Sequence, residues 1–215
     1  MAKTLDWQTY QEQLEKLASL EYNYDDKIYH ANKDKQGWNV DRYQASLANE
    51  APGEPSSEGP FEAAKKAIQL YQFPDPRLIR AVFNPDATLP GRNMLLLANF
   101  AGFHFTFGVR VSAVIDEVRY NSANQPLQVW GYSYRTLKGH FEVGEIRFEI
   151  SKNKITGEIQ FEVNAYSKPD RIPNIFYRTG FRIFGRPLQK YFAHSSIRRL
   201  QEIARSTQAQ TPAPK

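Results

Sequence analysis

The sequence predicts an α+β protein in which one antiparallel sheet carries a long C-terminal helix on its apolar face. Two observations lead there. Between residues 104 and 167, apolar and polar side chains alternate through successive segments, as in strands with one buried face. From residue 174 onward, Tyr177, Phe181, Phe184, Leu188 and Tyr191 follow three- and four-residue steps, which trace one face of a helix. A sheet with one apolar face needs a cover, and this helix is the obvious one.

Each element has its own signal. Trp7, Tyr10, Leu14 and Leu17 have helical spacing, with Thr4 or Asp6 available as a cap, so residues 5–20 read as an amphipathic helix. Residues 21–43 show no sustained period and read as extended and irregular. Residues 49–60, with three Pro, two Gly and two Ser, read as a flexible insertion. Pro60 can open a helix whose stripe is Phe61, Ala64, Ile68 and Tyr71. Phe73 to Pro76 stop that helix, and strands are expected at 77–83, 93–100, 104–117 and 127–137.

In the next strand the apolar phase slips. Phe141 and Val143 are odd whereas Ile146, Phe148 and Ile150 are even, so a β-bulge is expected at Gly144 and Glu145. The last strand, 157–167, has Ile159, Phe161, Val163 and Ala165 on one side. Gly185 and Pro187 should kink or split the helix of 174–205. The organisation expected is an N-terminal helix and extended segment (1–48), the insertion (49–60), the main domain (61–205) and a disordered tail (206–215).

Composition narrows the function classes. Zero cysteines among 215 residues remove disulfides, thiolate catalysis, thiolate zinc sites and iron–sulfur clusters. No apolar run has the length of a membrane span, and the N-terminus lacks signal-peptide form, so a cytoplasmic protein is expected. Nucleotide-binding glycine patterns and the serine-hydrolase elbow are absent; no cofactor or metal is expected. The formal charge of +5 is unevenly placed, with eight Lys/Arg between Lys168 and Arg199 against the single acid Asp170. That excess points to an anionic partner. A nucleic-acid module is not recognisable, so nucleic acid is not the expected one.

Residues 37–43 (GWNVDRY), 130–150 (WGYSYRTLKGHFEVGEIRFEI) and 165–195 resemble the uncharacterised protein family 0548, a group of bacterial and plant domains of unknown function. The run Tyr134, Thr136, Leu137, Gly139, His140, Glu142, Gly144, Glu145, Arg147 and Phe148 carries most of that resemblance. It implies a START-like, helix-grip fold, a sheet curled around a long C-terminal helix with a cavity between them. It implies no activity.

Three groups of residues are candidates for function. Trp130, Tyr132, Tyr134 and Thr136 share one strand face. They would line an apolar cavity with polar tips, or serve as core beneath the helix. His140 and Glu142 share a face in an extended strand and could form a polar contact or a proton-transfer pair, or face solvent. Arg178, Arg182, Arg186 and Lys190 recur every four residues, where like charges repel by a few tenths of a kcal/mol per pair. Acids of the sheet such as Glu158 and Glu162 could offset that, or an anionic membrane surface could. The leading reading is a protein that binds a small, largely apolar ligand or lipid. The alternatives are an enzyme using the same cavity, or a peripheral membrane or interaction module. Oligomeric state is left open.

Overall fold

A computed structural model of the protein describes residues 6–31, 37–100, 103–169 and 175–208, with 28, 31, 100, 103, 175–186 and 188 at the level of the backbone. Seven strands form one sheet: β1 (Asn39–Asn49), β2 (Ile79–Val82), β3 (Asn93–Phe100), β4 (Phe103–Tyr120), β5 (Pro126–Thr136), β6 (Glu142–Asn153) and β7 (Glu158–Pro169). Their order is β1-β7-β6-β5-β4-β3-β2, and every pairing is antiparallel. The helices are α1 (Gln11–Ser19), α2 (Asp26–Ala31), α3 (Pro60–Gln69) and α4 (Ile175–Gln208). The expected α+β helix-grip architecture, an antiparallel sheet with a long C-terminal helix, is the one observed. Among the described residues, no helix is long and apolar enough to cross a membrane.

The inner face of the sheet holds the main core. Trp130, Tyr132, Phe148, Ile150 and Phe161 meet Phe61, Ala64 and Ile68 of α3 and Leu200 and Ala204 of α4. Phe148 and Phe161 are fully buried, each worth roughly 1.5–3 kcal/mol of apolar burial. The C-terminal half of α4 is thus the lid the alternation requires.

The outer face carries the N-terminal segment. Leu17 of α1 packs with Val82, Leu95 and Leu137, and a Cβ on Gly108 would collide with its Cδ2. Asp6 caps the preceding 3-10 turn, Trp7–Tyr10, by accepting from the Gln8 N–H. Further along, the Tyr29 ring stacks on Tyr166 at 3.5 Å, and Arg135 pairs with Asp26 at 3.1 Å.

Four expectations change. The sheet includes β1, inside a segment read largely as irregular, because its sequence alternates weakly and its ladder is completed only by β7, far along the chain. No register shift occurs at Gly144 and Glu145: β6 pairs without interruption on both sides. Shifts occur instead in β1 between Ser46 and Ala48 and in β4 between Val111 and Ala113. The apolar phase slip in β6 is resolved by turning Val143 to the outer face while Ile146, Phe148 and Ile150 stay inside.

Residues 49–60 are also not a loose insertion. Glu50 accepts hydrogen bonds from the N–H groups of Ser56 and Phe61 and from Lys152 Nζ, which also donates to the Glu54 carbonyl. The segment is therefore a folded loop that caps the start of α3. Finally, α4 runs on to Gln208, past residue 205, where it was expected to end; 209–215 of the expected tail lie outside the described residues.

Candidate functional site

β5 sends Trp130, Tyr132 and Tyr134 to the inner face, where they are 5%, 0% and 8% exposed. Alternation in an unbroken strand puts all three on one side. Trp130 and Tyr132 are core beneath α3: Tyr132 Oη donates to the Ile68 carbonyl at 3.2 Å, and Lys65 Nζ stands 5.6 Å from the Trp130 ring centroid. Tyr134 sits at the boundary of that core. Its hydroxyl lies 3.3 Å from that of Tyr71.

Tyr71 was legible only as the last residue of an apolar stripe. It follows the C-cap of α3 with φ of +54°, a left-handed conformation that favours glycine at this position. Its buried ring, packed against Phe73 and hydroxyl-paired with Tyr134, holds it there. Burial drives the Tyr71 hydroxyl well above its ordinary pKa. Burial also pushes Tyr134 up to about 12, with the Glu142 carboxylate adding to the rise.

Glu142 opens β6. Because β6 has no bulge, Glu142 shares the inner face with Ile146 and Phe148 and points toward α4. Its Oε1 accepts from Gln189 Nε2 at 2.9 Å and from Ser167 Oγ at 3.4 Å. Glu142, Ser167 and Gln189 thus form one polar group between sheet and helix, and the Tyr71–Tyr134 hydroxyl pair, whose Tyr134 feels the Glu142 charge, lies by the aromatic core. Ser167 and Gln189 gave no signal in the sequence, since each is an ordinary polar residue whose partner lies 25 or 47 positions away.

His140 does not pair with the Glu142 carboxylate. Its Nδ1 accepts from the Glu142 backbone N–H at 3.0 Å, which places the neutral ring's proton on Nε2. The ring is 8% exposed and lies against Phe107 and Phe141, with centroids 4.5 and 4.7 Å away. Burial lowers its pKa to about 3. A group so far from neutrality is poorly matched to acid–base work near pH 7.

Thr136 is not a wall residue. Its Oγ1 donates to Asn23 Oδ1 at 2.6 Å and accepts from the Gly144 N–H at 3.1 Å. It joins the N-terminal segment to the β5–β6 turn.

The side chains of Arg178, Arg182 and Arg186 lie outside the described residues; Lys190 is exposed. The sheet acids considered as their partners face the other way. Glu162 pairs with Arg42 at 3.0 Å on the outer face, and Glu158 accepts from Gln160. Among the described residues, no three His, Asp or Glu side chains are gathered as a metal site would need.

A family model described as a domain of unknown function, DUF1990, matches residues 23–199. This supports the resemblance at the level of a family without an assigned activity, and does not carry the family number 0548. No curated protein matches the chain. Among solved structures, Ara h 8.0201 is similar with a TM-score of 0.41 and 10% identity, over 79% of this chain and 99% of that one. A major latex-like protein 151 from Panax ginseng gives 0.44 and 8%, over 77% and 97%. A norcoclaurine synthase point mutant from Thalictrum, solved with a transition-state analogue, gives 0.44 and 10%, over 77% and 95%.

Proposed function

We propose that this chain, which belongs to the DUF1990 family of domains of unknown function, binds a small, largely apolar ligand between the inner face of its sheet and α4. The observation that carries the reading is the placement of the Glu142 carboxylate. It faces α4 beside Tyr134, Ser167 and Gln189, at the edge of an aromatic core. A few convergent polar groups on an otherwise apolar wall are what orient a ligand in such sites. Phe105, Phe107 and Phe141 are only half-buried and supply apolar surface beside them.

The test is titration with an apolar fluorescent probe, an anilinonaphthalene sulfonate, and with a long-chain fatty acid, alongside native mass spectrometry of the purified protein. Saturable binding at one site is expected, weakened by about 0.5–3 kcal/mol in Glu142→Gln and Tyr134→Phe. Neither saturable binding nor a co-purifying apolar mass would overturn the reading.

A second reading, peripheral contact with an anionic membrane through α4, is favoured by one observation. Glu158 and Glu162 face away from α4, while Lys190, His194 and Arg198 are exposed along it. Each basic residue near such a surface contributes about 1 kcal/mol. Co-sedimentation with phosphatidylserine vesicles should then fall in Lys190→Gln/Arg198→Gln and at high salt. Equal pelleting with neutral vesicles, or none at low salt, would remove this reading.

A further inference from the structure

We propose that the free edge of β4 is a self-association surface on which a second copy of this chain docks antiparallel about a two-fold axis through Val118. β3 pairs with β4 only as far as Arg110, and Val111 N–H is taken by the Arg92 carbonyl. β5 continues along the other side of β4 to Tyr120. Among the described residues, nothing pairs with the outward edge of 112–120. A long unpaired edge is a template for another strand.

Three large apolar side chains are exposed on this edge, beside the exposed carboxylates of Asp116 and Glu117. Val114, Val118 and Tyr120 are 38%, 46% and 67% exposed, three of the six large apolar side chains exposed among the described residues. Their pairing with Tyr132, Gln128 and Pro126 puts all three on the inner face.

The charges select the occupant and the register. In an antiparallel pair about a two-fold axis, residues whose numbers share a fixed sum face each other. An axis through Asp116 sets two carboxylates opposite each other, and an axis through Glu117 does the same, which is unfavourable. With the axis through Val118, Glu117 meets the second copy's Arg119, and Asp116 meets its Tyr120 hydroxyl. Tyr120 then covers Val114 and Val118 of the second copy diagonally. Arg119 already pairs with Glu117 at 2.5 Å and with Glu149 at 2.6 Å within one chain, so the ion pairs of the two copies join into one network across the axis.

The chain has no cysteine, which gives a direct test. Wild-type protein is followed by light scattering after size exclusion from about 1 to several hundred µM, and a concentration-dependent dimer is expected. Val118→Lys should shift the midpoint at least tenfold without moving Tm, because the residue is exposed. Val118→Cys should form a disulfide-linked dimer under mild oxidation, while Ile155→Cys, also exposed, should not. A wild-type monomer throughout overturns the proposal, as does a dimer that survives Val118→Lys or equal cross-linking of the two cysteine variants.

Discussion

Lys152 Nζ meets Glu50 Oε2 at 2.7 Å with the two side chains only 1% and 5% exposed. This pair fastens the loop of 49–60 to β6, and the same carboxylate receives the Phe61 N–H at the start of α3. Breaking a buried pair by removing one partner strands the other charge out of water. Glu50→Ala should therefore cost about 3–5 kcal/mol in urea unfolding. Lys152→Met in the same background should recover part of that loss. A loss under about 1 kcal/mol in Glu50→Ala would mean that the loop rearranges to hydrate Lys152.

Much of the architecture was legible because alternation is a local signal. β4, β5 and β7 each show an alternating face within a dozen residues, and β3 shows as a short apolar run. What was not legible depends on partners far away in sequence. β1 has a weak pattern, and Glu162, read as a counter-ion for the helix, belongs to the outer face with Arg42. The phase slip in β6 was visible, but its cause was not. A bulge and an apolar residue turned to a covered outer face produce the same string of letters, and only the N-terminal segment lying over that face distinguishes them. In the site, Trp130, Tyr132 and Tyr134 announced a face without saying whether it met a ligand or a helix. Ser167 and Gln189 reach Glu142, and Tyr71 reaches Tyr134, only through the tertiary fold.

Tyr132 and Phe148 separate a core role from a lining role. Phe148 is fully buried, with the rings of Phe73 and Tyr132 at 4.8 and 5.8 Å, so Phe148→Ala should cost about 3–5 kcal/mol. Tyr132→Phe removes only the donor to the Ile68 carbonyl and should cost about 1 kcal/mol. Urea midpoints at constant m-value check both. A nearly neutral Phe148→Ala would show that this end of the interior is not tightly packed.

Arg110 closes the carboxyl end of α1. Its Nη2 donates to the carbonyls of Leu17 and Leu20 at 2.7 and 3.0 Å, while its Nε holds Asn93. A cation on the last carbonyls of a helix satisfies groups that have no partner within the helix. Arg110→Ala should raise amide exchange across 11–20 and lower stability by about 1–3 kcal/mol. Gly108→Ala should have a related effect through Leu17, whose side chain has no room for a Cβ there. Unchanged exchange in α1 for both variants would show that α1 is held by other contacts.

His140 makes stability fall on the acid side of neutrality. Its folded pKa, near 3, lies below the ordinary histidine value because burial penalises the charged ring. Between those two values the unfolded chain binds a proton that the folded chain refuses, so stability rises with pH through the window and falls as pH drops. One such proton is worth about 1.4 kcal/mol per pH unit. Asp75 acts in a lower window. Its bonds to Arg77 hold its pKa down at about 2, so the stability it contributes above the normal carboxylate range is lost only as pH falls toward that value. Glu145, whose pKa burial raises above the ordinary carboxylate value, takes up a proton in the same region with the opposite sign. The histidine is therefore read from the difference between the wild type and His140→Gln, a difference that should change by about 2–3 kcal/mol between about pH 6.5 and 4.5. His140→Gln, which cannot take up the proton, should start less stable at pH 7 and show a much shallower decline. Parallel slopes for the two proteins in urea unfolding at each pH would mean that the ring reaches water and protonates in the folded state.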